Sequence, residues 1–571
     1  MRLLLVLLIL FVGCTRKGNK SDTLEISLAN EISTIDPVGC YDTVCFVPVT
    51  QVYESLYEFD YLKRPYTLRP LLAQSMPQVS SDRLTYTFKV KKGIRYHSSA
   101  MLPQNREVKA QDFINQIKRL AFLGSLNSRG FWLVDGKIKG LNEWREKVQT
   151  DLNLFFTEAV EGLQAPDDET LIITLNSPYP QLLYALTLSF TAPIPEEAIR
   201  ASKNDFSILS VGTGAYSISS YNPVQGVELK KNPHYVSSTY PTDGDHLAKK
   251  NGLLKDAGAK LPFVEKVRLV VIKEAQTDWL NFMKKKVDMI NLTKDHYHVA
   301  LNQDGSLKPE IIKDQIELQA SPTLIYWWIA FNMKDPVVGN NLNLRKAIAH
   351  GVNIDKYIEI FTYNVAQKAN SIYPPGIPGY SSQTQLPYKY DLGLAKEYLK
   401  KAGYPDGKGL PTLKFDIRGS DTRRRQMGEF IQQELRQLGI NMEIIINTFP
   451  GFLEKARKGQ LQFWQGGWVL DYPDAENVLQ LLSSQNLPPG QNYFNFVNAD
   501  FDKYFKEARQ IEDGPKKFEL MTKMESIVNE ELPWVMQYYA RNYILSHKYL
   551  KNFMYSDIIY NNIKYLKLEG K

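Results

Sequence analysis

Arg423, Arg424 and Arg425 stand side by side just after Ser420-Asp421, and the residues after them bound what they can do. Met427, Phe430, Ile431, Leu435 and Leu438 form an apolar stripe at helical spacing that stops at Gly439, so the arginines fall in the first turn of a predicted helix. Cations there oppose the helix dipole. A bound anion relieves that cost, because helix N-termini and arginine forks both favour carboxylates; a solvated basic turn is the alternative. Farther on, Gly467-Trp468-Val469-Leu470-Asp471-Tyr472-Pro473-Asp474 sets two carboxylates around a proline. Asp474 is placed to cap a helix over 476–482, which leaves Asp471 free; the competing reading has Asp471 merely starting the turn before Pro473. Trp464, Trp468, Tyr472, Trp327 and Trp328 are candidates for pocket walls or core.

The familiar catalytic signatures are absent: no GxSxG elbow, no HExxH, no Walker lysine loop and no CxxC. Gly212-Thr213-Gly214 lacks the third glycine and the following helix of a dinucleotide loop. His296 and His298 form an isolated HxH pair, too few ligands for a metal site. Neither a cofactor nor a metal is expected.

Positioning falls to interleaved strands and helices. Leu24 to Leu28, Leu84 to Val90, Thr170 to Leu175, Val227 to Lys230 and Val264 to Ile272 read as strands. Ala110 to Ala121, Thr277 to Lys285, Leu344 to Gly351 and Leu392 to Ala402 read as helices. The class is α/β. Asp243 to Pro262, polar and glycine-broken, reads as a surface excursion.

Met1 to Cys14 reads MRLLLVLLILFVGC, an apolar run too short to span a bilayer and shaped like a cleaved secretory signal over 1–13. Gly13-Cys14 resembles the lipobox of bacterial lipoproteins, although Phe11 departs from its usual aliphatic residue. The expectation is an acylated Cys14, a tether over 14–22 and lipid anchoring to a bacterial membrane, in the periplasm or at the cell surface. The remaining chain is about twice the size at which one core stops growing, so two to four domains are expected. A formal charge of +7 spread with mixed signs over 571 residues is no nucleic-acid footprint. Cys40 and Cys45 could pair in an oxidising compartment, provided the chain bends between them.

Several stretches, in order, resemble one family, the extracellular solute-binding proteins of peptide-type ABC importers. They are Ser33-Thr34-Ile35-Asp36-Pro37, Val52-Tyr53-Glu54-Ser55-Leu56-Tyr57, Leu84-Thr85-Tyr86-Thr87-Phe88 with Gly93-Ile94-Arg95-Tyr96-His97, Gly212-Thr213-Gly214-Ala215-Tyr216 and Lys231-Asn232-Pro233-His234-Tyr235. Phe331-Asn332, Lys400-Lys401-Ala402-Gly403-Tyr404 and, most specifically, Gly467 to Asp474 complete the series.

The resemblance implies a two-lobed periplasmic-binding-protein fold with an additional third domain. The first lobe would take 23–55, 170–322 and 539–571, the additional domain 56–169 and the second lobe 323–538. It implies no catalysis, an oligopeptide ligand, an ABC permease as partner and a monomer. Asp471 would hold the ligand's α-amino group, with backbone at Gly467, Trp468 and Val469 pairing with it like an added strand. Tyr41, Asp42 and Thr43 would form the opposite wall, and Arg423 and Arg424 would meet the carboxylate. Gln465 stands where a basic residue is common. A nickel chelate, a sugar, a secreted hydrolase and a structural lipoprotein are the competing readings.

Overall fold

The computed structural model describes residues 22–125, 128–207, 210–419 and 422–571. The signal over 1–13, Cys14, the tether up to residue 21, and Ser420 and Asp421 lie outside the described residues. The opening alternation becomes strand β1 (Thr23–Leu28), followed by helix α1 (Thr43–Val52). Next come β2 (Thr85–Lys89), α2 (Ala110–Ala121) and β3 (Thr170–Thr174). β2 and β3 pair antiparallel in a small sheet completed by Gln78–Val79 and Leu163–Asp167.

The main strands that follow are β4 (Tyr216–Asn222), β5 (Gly226–Lys231), β6 (Lys266–Val271), β7 (Met289–Asn291), β8 (Ile316–Phe331), β9 (Leu413–Ile417), β10 (Met442–Ile446), β11 (Phe463–Val469) and β12 (Trp534–His547), with the short strand Gln367–Lys368 pairing with β12 beside them. With β1 they form one large sheet in the order β10-β9-β11-β8-β12-β7-β1-β6-β5-β4. β1 runs parallel to β6 from Thr23↔Lys266 to Leu28↔Val271, and β7 joins it to β12, so both ends of the chain meet in one lobe. β9, β10 and β11 build the other lobe, where α3 (Thr422–Arg436) buries Ile431 and Leu435 against Leu413, Phe415 and Phe463.

Two long strands cross from lobe to lobe. β8, at about 3.3 Å per residue, reaches roughly 50 Å and pairs antiparallel with β12 in both lobes. The ladder shifts register between Pro322 and Tyr326. At that break Thr323 Oγ1 donates to Ala540 O, and Asp557 Oδ2 accepts the Leu324 N–H while its Oδ1 accepts Tyr66 O–H at 3.0 Å. The Leu324 carbonyl accepts the N–H of Leu470 at 3.0 Å, one residue before Asp471.

Much of the recognisable motif content serves packing. Asp36 pairs at 2.8 Å with the fully buried Arg119 of α2. Glu54 accepts from Thr213, Tyr235 and Ser237, tying three motif segments into one buried network. A Cβ on Gly212 or Gly214 would meet the backbone oxygen of Val52 or Gln51 at 2.0 and 2.2 Å, so no side chain fits at either position. Cys40 and Cys45 form a disulfide with Cα atoms 5.8 Å apart, because α1 begins between them. Several expected spans differ: the helix at Glu476 ends at Leu479 rather than at 482, the helix expected over 277–285 lies at Ala275–Met283, the strand expected from Val264 begins at Lys266, and the excursion over 243–262 contains a helix, His246–Lys250. The sequence shows the polar character of that excursion; the helix arises because Asp245 accepts the Ala248 N–H as a cap.

Candidate ligand-binding cleft

β11 carries two glycines where its neighbour carries two tryptophans. Trp327 and Trp328 of β8 sit opposite Gly467 and Gly466, and a Cβ on either glycine would come within 2.8 or 2.6 Å of the facing indole. The glycines let both rings lie over the strand. β9 pairs with β11 only at Phe463 and Trp464. Beyond that, no strand among the described residues pairs with the outer edge of Gln465 to Val469. A cavity of about 390 Å³ lies where the strands part, and Ile417, Arg418, Gln465 and Trp327 line it.

Trp468, Val469 and Asp471 face a second, larger cavity of about 1140 Å³. Past β11 the chain turns into α4 (Glu476–Leu479), which brings Asn477 back against the strand end. Asn477 Oδ1 accepts both the Trp468 indole N–H (2.9 Å) and the Asp471 backbone N–H (3.3 Å). Its Nδ2 donates to Asp471 Oδ2 at 3.2 Å. One buried amide therefore sets both the tryptophan and the carboxylate. Asp474 is occupied elsewhere: Oδ1 accepts the Glu476 N–H (2.7 Å) and Oδ2 pairs with buried Lys517 at 2.8 Å.

The facing wall comes from the start of α1. Tyr41, Asp42 and Thr43 all line the larger cavity, inside the six-residue ring closed by Cys40 and Cys45. Tyr41 packs edge-on against Trp132 at 6.3 Å. The Asp42 carboxylate is fully engaged: Oδ1 accepts the N–H groups of Val44 and Cys45 as the α1 cap, and Oδ2 accepts from Ser33 at 2.5 Å. Asp42 thus caps α1 and fixes this wall, with its carboxylate held in place by these three donors.

Arg423 and Arg424 open α3 and line the smaller cavity, and Arg423 Nη2 also donates to Phe361 O at 2.8 Å. The cation set deepest there is one that motif reading missed: Arg418, its guanidinium 4.3 Å from the Trp327 ring centroid. A signal existed, since Arg418 directly follows β9 and ligands in open α/β sheets gather at the carboxyl ends of strands. Among the other aromatic candidates, Trp327 and Tyr472 line cavities, whereas Trp464 and Trp328 are packed in the core with Phe494.

The two ends of this edge carry opposite charges, each held in an unfavourable setting. Burial pushes the Asp471 carboxyl above its ordinary pKa, against the opposing hydrogen bond from Asn477. The Tyr41 hydroxyl is also raised, by burial and then by the Asp471 charge, which places the two walls within electrostatic reach. Burial, and then the neighbouring Arg424, bring the Arg418 guanidinium down to about 10. A cation at Asp471 and an anion at Arg418 would restore both. His296 is bonded to Gln276 and Thr293, and no group of three or more metal-ligating side chains occurs among the described residues.

A family model described as bacterial extracellular solute-binding proteins, family 5, middle, matches residues 67–487. The chain is 23% identical over 528 residues to heme-binding protein A of Haemophilus influenzae, covering 91% of this chain and 87% of that protein. It is 24% identical over 524 residues to the glutathione-binding protein GsiB of Escherichia coli strain K12, covering 89% and 87%. The solved structure of the periplasmic binding protein DppA from Helicobacter pylori, in complex with the peptide STSA, shares the fold at a TM-score of 0.68 and 24% identity, over 96% of this chain and 98% of that one.

Proposed function

Because the chain belongs to the bacterial extracellular solute-binding proteins of family 5, we propose that it captures short peptides with free termini and hands them to an ABC import permease. Its relatives are extracytoplasmic binding proteins of such importers, not enzymes. The observation that carries the peptide reading is the unpaired edge from Gln465 to Val469, with Asp471 past one end and Arg418 beside the other. A peptide added to that edge satisfies backbone groups along its length, its ammonium meets Asp471 and its carboxylate meets Arg418, Arg423 and Arg424. It runs antiparallel to β11.

Among ligands that relatives are named for, glutathione carries an amino group and carboxylates, whereas heme has carboxylates and no amino group, leaving Asp471 uncompensated. Tyr41 and Thr43 close the cleft from the other lobe, and the same reading keeps the division into lobes at 23–55, 170–322 and 539–571 against 323–538, with 56–169 as the additional domain. Acylation of Cys14 would hold the protein at the membrane, so Cys14→Ser should move it to the soluble fraction; retention would count against the anchor. For the cargo, a library of tri- to pentapeptides scanned by thermal shift should contain members that stabilise the protein by about 2.7 kcal/mol at 100 times Kd. No stabilisation by any of them would reject the peptide reading.

A further inference from the structure

We propose that the wall of the larger cavity next to Asp471 is a subsite for a carboxylate on the ligand's first side chain, formed by Lys137 and Arg509. The proposal rests on the peptide reading above. A side chain on the first residue leaves the backbone one atom from the α-amino group, so with that group at Asp471 it is delivered to this wall.

Lys137 reaches the wall from the additional domain and Arg509 from the C-terminal end of α5 (Ala499–Ala508), in the other lobe. Lys137 Nζ is held by neutral oxygens only: Tyr179 Oη at 3.1 Å and the carbonyls of Trp132 and Leu133 at 3.2 and 3.3 Å. Arg509 Nη1 donates to Gln485 Oε1 at 3.3 Å. Neither cation forms an ion pair among the described residues. Besides Asp471, the cavity-lining carboxyl that acts on both cations is Glu476, whose Oε2 accepts the Tyr472 O–H at 2.7 Å; the exposed Asp135, which accepts from Asn142, acts on Lys137 from outside the cavity lining.

Inside the cavity lining, Lys137 and Arg509 therefore share Glu476 once Asp471 is taken by the ligand's ammonium, with Asp135 outside the lining. Burial lowers the Lys137 pKa to about 8 against the opposing charges of Glu476 and Asp135, with Arg509 adding to the fall, so its ammonium lacks full compensation. Two more donors point the same way. Gln181 Nε2, on a side chain 2% exposed, and Trp132 Nε1 have no acceptor among the described residues, and both residues line this cavity. A wall with surplus positive charge and spare donors suits an acceptor-rich anion such as the side chain of aspartate or glutamate.

The test is calorimetric titration of Glu-Ala-Ala, Gln-Ala-Ala and Lys-Ala-Ala into the wild type, Lys137→Met, Arg509→Gln and Asp471→Asn. The wild type should bind Glu-Ala-Ala about tenfold or more tightly than Gln-Ala-Ala, with Lys-Ala-Ala weakest. Lys137→Met and Arg509→Gln should each shrink the Glu preference by weakening Glu-Ala-Ala several-fold more than Gln-Ala-Ala, with an unchanged thermal unfolding transition showing that the variants are folded. Equal wild-type affinity for the Glu and Gln peptides, or equal losses for both in the variants, would overturn the subsite. If all three peptides bind through Asp471 irrespective of the first side chain, the subsite alone fails. Should none bind, the peptide reading falls with it.

Discussion

Asn477 is the residue through which the cleft's two most telling side chains are fixed, since its amide binds the Trp468 indole, the Asp471 backbone and the Asp471 carboxylate together. Asn477→Ala leaves these groups unpartnered, so unfolding free energy should fall by about 1–3 kcal/mol in denaturant titration. Peptide affinity should fall about tenfold as Trp468 and Asp471 lose their orientation; unchanged affinity would separate the amide from binding. Asp471 also sets a pH dependence. Burial raises its pKa in the free protein, and a bound ammonium stabilises the charged form, so binding drives a proton off in the window between the two values. Affinity should therefore rise with pH through that window and level off above the raised pKa, and Asp471→Asn should flatten the rise. Calorimetry in buffers of different ionisation enthalpy reads the released proton. Asp471 and Trp468 were legible because they lie in one short motif. Asn477 was not, because only the turn over 472–475 carries it back to the strand end, and Arg418 was passed over for the more conspicuous Arg423 to Arg425.

At the level of elements, periodicity marked α2 to the residue and β1, β2 and β3 to within one. It did not mark β8 or β12, the strands that join the lobes. Ile316 to Phe331 contains Pro322 and changes environment halfway, so it shows no sustained alternation. Most of the motif segments proved to build packing rather than the cleft, as the Asp36–Arg119 pair and the Glu54 network show. The break in the β8–β12 ladder depends on Asp557, which is part-buried at the lining of the larger cavity and accepts the Leu324 N–H and the Tyr66 O–H. Asp557→Ala strands the Leu324 N–H and leaves the Tyr66 hydroxyl with Ser556 Oγ alone, at 3.1 Å, so it should cost about 1–3 kcal/mol in unfolding free energy. It should also broaden the range of lobe separations seen by small-angle scattering, since Leu324 connects the crossing strands to Leu470. A variant with native stability and an unchanged scattering curve would show that the crossing is held by the remaining ladder.

As a whole, the molecule sets two lobes around cavities whose charged residues are complementary to a zwitterion: a carboxyl at one end of an open strand edge, guanidinium groups at the other, and aromatic rings between. On the proposed peptide reading the ligand's own termini are the principal handles, and Asp471 is the more decisive of the two because no second carboxyl shares its contact with Asn477, where the arginines stand in a group. In a closed cleft, removing one partner of a charge pair typically costs roughly 2 to 5 kcal/mol, and each step of about 1.4 kcal/mol is tenfold in affinity. The most direct measurement is titration calorimetry of wild type and Asp471→Asn with one peptide, free and N-acetylated. The wild type should bind the free peptide about thirtyfold or more tightly than the acetylated one, and Asp471→Asn should lose most of that discrimination. Equal losses for both peptides would contradict the account, placing the α-amino contact elsewhere and leaving Asp471 a structural part of the turn.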